Sequence, residues 1–190
     1  MYLLGHVGLA LVAAGALVVG GGGVTRRVAV GVGVLVLLAS APDVDLLLAG
    51  VPHRGVTHTV WAALGLGGVL AVAADPLVRS GRSSVGTVRF TFGLGVASVL
   101  THLVGDLLTP MGIRPLHPLV GTSYSLELVA ARSPTANLAL LCGGLVVFAL
   151  ALRGERTGRS RAFRARVAVL AGRVRRRPVA ASPVDEPTTK

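Results

Sequence analysis

Apolar residues along this chain gather into five runs of membrane-spanning length, near 2–20, 28–48, 57–74, 88–108 and 134–152. About 20 apolar residues in a helix cross a hydrocarbon core roughly 30 Å thick. A backbone in lipid must satisfy its own N–H and C=O groups, so such runs are read as helices. The pattern predicts an all-α integral membrane protein with about five transmembrane helices. The first run has no basic stretch before it, and Arg26 and Arg27 follow it instead. It is therefore read as a retained helix and not as a cleaved signal. Composition agrees: the chain is 52% hydrophobic and 14% charged, with a mean hydropathy of +0.73. That excludes an ordinary soluble domain of 190 residues. The 26 glycines suit close helix packing in a bilayer. The single cysteine, Cys142, lies in an apolar run, which excludes a disulfide framework and a thiolate metal site.

The net charge of +11 is concentrated at one end. Residues 153–190 hold eleven of the 19 basic residues and three of the eight acidic ones. The chain thus divides into a transmembrane helical domain at 1–152, a basic juxtamembrane segment at 153–177 and a tail at 178–190. In the middle segment arginines alternate with Phe163, Val167, Val169, Leu170 and Val174. That mixture is expected to lie on anionic lipid headgroups. No nucleic-acid recognition motif accompanies the charge, so nucleic acid is not an expected partner. The tail has three prolines and few large apolar groups and is expected to be disordered.

Arginine placement also predicts orientation. Arg26 and Arg27 lie in the first connection, Arg79, Arg82 and Arg89 in or beside the third, and ten arginines follow the fifth run. The other connections carry only Arg54, Arg114 and Arg132. Cytoplasmic loops are enriched in Lys and Arg. Five spans with the N-terminus outside and the C-terminus in the cytoplasm place all three rich groups inside, in a multi-pass protein of the cell (plasma) membrane.

Polar residues interrupt the apolar runs in a few short islands: His6, then Pro42-Asp43-Val44-Asp45, then His53-Arg54-Gly55-Val56-Thr57-His58, then His102-Leu103-Val104-Gly105-Asp106. Ionisable groups inside membrane spans are costly and mark function by default. The five-span topology brings every island to the same end of the bundle, at similar depth. His102 and Asp106 are four apart on a helix and share a face. Asp43 and Asp45 would diverge on a helix, but an extended or turn segment lets both enter one pocket. Gly55 permits a tight turn that points both His53 and His58 inward. The Thr57 hydroxyl is read as serving a helix start. Residues 109–133, with Pro110, Gly112, Pro115 and Pro118, form the longest connection on that side and are read as either a lid or a plain connector.

Carboxylates and imidazoles without thiolate suit a divalent metal, one or two ions, with Zn first and Mn, Fe or Mg as alternatives. The expected ligands are His6, Asp43, Asp45, His53, His58, His102 and Asp106. Asp43 and His53 are also candidates for moving a proton. Arg54, the one cation among the islands, is a candidate clamp on an anionic substrate group. Each element alone has a plainer reading: an interhelical polar contact for His6, a cap for the aspartates, a structural hydrogen bond for His102 with Asp106.

The order of these motifs resembles the YdjM-type membrane-bound metal-dependent hydrolases. An early His is followed by Pro-Asp-x-Asp, by His-Arg-Gly-x-Thr-His and by His-x-x-x-Asp on a later apolar helix. The resemblance spans roughly residues 1–140, leaves the basic tail out, and is most specific at His53–His58. It implies that the seven residues named as ligands form the functional set. The family's distant similarity to zinc-dependent phospholipase C and related nucleases implies a phosphoester substrate.

The expected function is therefore metal-dependent hydrolysis of a lipid or membrane-proximal phosphoester, with Asp43, His53 and Arg54 in catalytic roles. Two rivals use the same residues. A proton- or ion-coupled transporter would need ionisable stations at several depths, and the other half of each span has none. A non-catalytic protein whose metal only pins helices is the second rival.

Overall fold

The computed structural model describes residues 1–81 and 84–158; Arg82, most of the basic segment and the whole of the 178–190 tail fall outside it. Five α-helices follow in order: α1 (Leu3–Gly20), α2 (Arg26–Leu38), α3 (Val60–Arg79), α4 (Val85–Leu107) and α5 (Pro134–Arg156). Each overlaps a predicted run, and α5 continues to Arg156, past the expected limit at 152. Among the described residues, four segments are long and apolar enough to cross a membrane, and the apolar part of α3, Val60–Pro76, is shorter.

The second span is broken. At about 1.5 Å per residue, the 13 residues of α2 rise only about 20 Å. The chain then tightens into a 3-10 helix, Ala41–Leu47, with Pro42 in its first turn. Pro42 has no N–H to give, so it fits a helix start but cannot continue the hydrogen bonding of α2. The break leaves the last carbonyls of α2 without helical partners, and the C-cap carbonyl of Ala39 accepts a hydrogen bond from the site described below.

Helix α4 is the hub. A buried cluster of Ala10, Leu35, Ala39 and Leu94 ties it to α1 and α2. A second cluster of Ala63, Val99, Leu103 and Ile113 ties it to α3 and to the connection before α5. Helix α5 packs on α1, where Gly8 and Gly144 bring the two backbones into contact. A Cβ on Gly8 would strike the Leu140 carbonyl, and one on Gly144 would strike the Gly8 carbonyl. Small residues are what permit such an approach between membrane helices.

The 109–133 connection is not a free loop. Ile113 and Tyr124 exchange both backbone hydrogen bonds at 2.9 Å. The Leu126 and Leu128 amides bond the Leu107 and Leu108 carbonyls at the end of α4, and the Val60 amide bonds the Pro115 carbonyl at the start of α3. The segment therefore covers the same end of the bundle at which α2 breaks.

Candidate metal centre

Three secondary-structure ends meet at that end of the bundle. The 3-10 helix after α2 presents Asp43 and Asp45, a 3-10 turn at Val56–His58 presents His58, and the last turns of α4 present His102 and Asp106. His6, in the first turn of α1, closes the group from the side. His6, Asp45, His58, His102 and Asp106 are all at most 2% exposed, whereas Asp43 and His53 open toward the surface at 23% and 34%.

Hydrogen bonding fixes the imidazole tautomers. His102 Nδ1 lies 2.8 Å from the Ala39 carbonyl. A carbonyl only accepts, so Nδ1 carries the hydrogen and Nε2 presents a lone pair. His58 Nδ1 faces the Thr57 hydroxyl at 2.9 Å and Asp45 Oδ2 at 3.2 Å. Thr57 itself donates to Asp45 Oδ2 at 2.8 Å. Its oxygen therefore accepts from His58 Nδ1–H, and His58 Nε2 is also left as a lone pair. Orientation of a ligating histidine through its other nitrogen is the usual support for a metal.

The inward atoms have metal-ligand spacing. His58 Nε2 is 3.5 Å from Asp43 Oδ1 and 3.4 Å from Asp106 Oδ2. His102 Nε2 is 3.4 Å from each of the same two oxygens. The two Nε2 atoms are 3.0 Å apart. Ligands about 2.0–2.1 Å from a tetrahedral ion stand about 3.3–3.4 Å from one another. Asp106 Oδ2 is buried with no hydrogen-bond donor among the described residues, as are both ring nitrogens of His6. Buried polar atoms without partners demand an explanation, and an ion is one. The donor set fits a divalent cation, and these groups can hold one: His58, His102 and Asp106 form one triple, His6, Asp43 and His102 a second, and Asp43, His53 and His58 a third.

His6 stacks on His102, with ring centroids 3.7 Å apart and planes 9° from parallel. Gly105 makes room for that ring. A Cβ there would lie 2.8 Å from His6 Nδ1 and 3.0 Å from Leu9 Cδ1. His6 Nε2 is 3.6 Å from Asp106 Oδ1, so Asp106 spans both imidazoles with its two oxygens.

One expected ligand, Asp45, and the expected substrate clamp, Arg54, face elsewhere. Asp45 diverges from Asp43, as two residues two apart on a helical turn must. Its Oδ1 takes His53 Nδ1 at 2.9 Å, and its Oδ2 takes the Arg54 amide at 3.1 Å besides Thr57 and His58. It belongs to none of the triples that could hold an ion and instead contacts four residues, His53, Arg54, Thr57 and His58. Arg54 turns into the protein and not toward a cavity. Its guanidinium donates to Asp106 Oδ1 at 2.6 Å, to the Gly112 carbonyl at 2.8 Å and to Thr109 Oγ1 at 3.0 Å. It is 6% exposed, so its two-point fork is occupied by the protein. Asp106 Oδ1 also receives the α-amino group of Met1 at 2.9 Å.

Local backbone accounts for this inward turn. Arg54 takes a left-handed conformation with φ of 60°, and Gly55 does not, at −84°. The tight turn expected at Gly55 is therefore made one residue earlier. Gly55 is needed for space, because a Cβ would lie 2.8 Å from the Pro52 carbonyl. Thr57 does not start a helix; that role falls to Thr59, whose hydroxyl accepts from the Ala62 amide at 3.2 Å. Gly105, Thr59, Thr109 and the Ala39 carbonyl were not legible as site components, since only the folded geometry shows what they touch. The fifth histidine, His117, enters none of the triples that could hold an ion.

A sequence model of the YdjM inner membrane protein family matches residues 1–177. The chain belongs to the YdjM inner membrane protein family. The match runs past residue 140 and takes in the basic segment to 177, which the motif resemblance left out. No curated protein and no solved structure matches the chain. Membership places this YdjM protein in the inner membrane, in agreement with its apolar helices and with the multi-pass location expected from sequence.

His58 shows what the pocket's field favours. Burial opposes a proton on this imidazole, but the adjacent Asp106 and Asp43 carboxylates outweigh burial and raise its pKa above the ordinary value. At His58 the two carboxylates favour the charged imidazole.

Proposed function

We propose that this YdjM protein is a membrane-bound metal-dependent hydrolase acting on a lipid or membrane-proximal phosphoester. The ligand spacing among His58, His102, Asp106 and Asp43 is the observation that carries the reading. His58, His102 and Asp106 are the buried anchors, and Asp43 stands at the open side, where a substrate or water can compete with it. One divalent ion here, with zinc first among candidates, would supply Lewis-acid activation of water near neutral pH.

The protein's own groups have separable tasks. His53, part-exposed and held through Nδ1 by Asp45, is placed to take a proton at Nε2 and release it to solvent. Arg54 neutralises Asp106 and fixes the covering connection through Gly112, a positioning role in place of the substrate clamp expected from sequence. The 3-10 helix that carries Asp43 also exposes apolar side chains, with Leu46 at 64% and Leu47 at 83%. Apolar surface next to Asp43 in a membrane helix bundle favours a substrate that arrives from the bilayer.

We further infer that the site faces the outside of the inner membrane. Arg26, Arg27, Arg79, Arg89, Arg153 and Arg156 gather at the opposite end of the helices, and the positive-inside rule assigns that end to the cytoplasm.

One observation favours a second reading. Asp43 completes a four-cornered ligand set, and four protein ligands around zinc typify a structural site that only pins helices. Asp43→Asn separates the two. Metal content and release of phosphate or headgroup from phospholipids in mixed micelles are measured together. The hydrolase reading expects metal retained and turnover lost. Loss of metal with no wild-type turnover of phosphoester or carboxylester lipids supports pinning.

A further inference from the structure

At the end of the bundle away from the metal centre, a groove of about 720 Å³ opens between α2, α3 and α4. Its body is apolar, formed by Val34, Leu70, Ala73 and Phe90, and its mouth carries Arg26 and Arg27. The volume is that of a well-formed small-molecule pocket. The two arginines differ in state. Arg27 is fixed: it donates to the Gly86 carbonyl, and its guanidinium sits 4.3 Å over the Phe90 ring. Arg26 is exposed and, among the described residues, has no hydrogen-bond or ion-pair partner.

The electrostatics of this corner are one-sided. Arg26 and Arg27 occupy the first turn of α2, where no acidic residue is present. A helix N-terminus carries partial positive charge, so cations there are unfavourable unless an anion joins them. Asp75, on the neighbouring helix, is already paired with Arg79. A cationic mouth over an apolar groove between membrane helices matches one kind of molecule, with an anionic head and a hydrocarbon chain.

We propose that this groove is a binding site for an anionic phospholipid. Its phosphate sits between Arg26 and Arg27, and an acyl chain lies along Val34, Leu70 and Ala73 against Phe90. Arg27, pinned by Gly86 and Phe90, presets one half of the phosphate clamp. Arg26 folds onto the headgroup when the lipid binds. The lipid joins α2 to α3 across the groove and so stiffens α2, whose C-cap carbonyl at Ala39 meets His102 and which the 3-10 helix bearing Asp43 follows. The site is separate from the metal centre and does not depend on what that centre catalyses.

The test uses the full chain, delipidated in detergent. Phosphatidylglycerol, phosphatidylcholine and glycerol phosphate are added separately, with bound lipid read by native mass spectrometry and stability by thermal unfolding. Phosphatidylglycerol is expected to bind at least about tenfold more tightly than phosphatidylcholine, a difference of about 1.4 kcal/mol. Arg26→Gln should remove most of that preference, and Ala73→Trp, which plugs the groove without changing charge, should lower binding of phosphatidylglycerol. Both variants should keep wild-type helix content by circular dichroism, which shows that they fold. Equal binding of the two lipids, no effect of Arg26→Gln, or equal stabilisation by glycerol phosphate would each overturn the proposal.

Discussion

The Nε2 atoms of His58 and His102 lie 3.0 Å apart, and the hydrogen bonds at their Nδ1 atoms leave both as lone pairs. Two lone pairs facing at that distance call for a proton or a metal ion between or beside them. Asp43 and Asp106 add two carboxylates at ligand spacing, so the group could hold a metal ion. The rest of the site supports this pair: Ala39 fixes one ring, and Thr57 with Asp45 fixes the other.

Asp45→Asn tests that support. The change keeps the shape but removes the carboxylate charge that holds His53, Thr57 and His58. Loss of such an outer partner typically weakens metal affinity about 10–100-fold. Chelator competition should show a weakening of that order while the purified variant keeps its helix content. Unchanged affinity would mean that Asp45 does not orient the ligands.

Arg54→Leu should destabilise the protein by about 3–5 kcal/mol, because it strands the buried Asp106 carboxylate and releases Gly112 and Thr109. Thermal unfolding should fall, and limited proteolysis should cut more readily within 109–133. Arg54→Lys should show a smaller loss of the same kind, since a single ammonium cannot bond three acceptors in the guanidinium's geometry. A variant with wild-type stability but lost turnover would restore the substrate-clamp role.

The site should also respond to pH in a defined direction. His58 has a raised pKa in the folded, metal-free protein. Its proton contributes stability that is fully present below the ordinary imidazole value, about 6.5, and is lost as pH rises through the raised folded value. Metal binding displaces that proton, so affinity should increase across the same window. Unfolding curves with chelator and with added zinc should therefore separate further as pH rises. A constant gap would show that His58 is not a ligand.

Orientation is open to direct measurement. Reporter fusions after Arg156 should report a cytoplasmic C-terminal end, and cysteine labelling at exposed Leu119 should occur from outside intact inner membranes. Labelling only after the membrane is opened would put the site on the cytoplasmic face.

Much of this architecture is readable from the chain, because membrane helices announce themselves by length and apolarity. The convergence of His6, Asp43, His58, His102 and Asp106 follows from counting spans, since an even number of crossings returns each island to one end. What sequence does not carry is direction at the level of single side chains. Asp43 and Asp45 look equivalent until the 3-10 helix after α2 sends them to opposite sides. Arg54 looks like a free cation until its positive φ turns it onto Asp106. The break at Ala39 lies inside one membrane-length run, where Pro42 and the aspartates after it are the hints.

The most direct measurement of the central claim is the metal content of protein purified in detergent without added metal or chelator, beside His58→Ala and His102→Ala. A bound divalent metal is expected in the wild type, in one or two equivalents, and its loss in both variants, with membrane insertion unchanged. Wild-type protein that emerges without metal and gains no thermal stability from added zinc or manganese would contradict it.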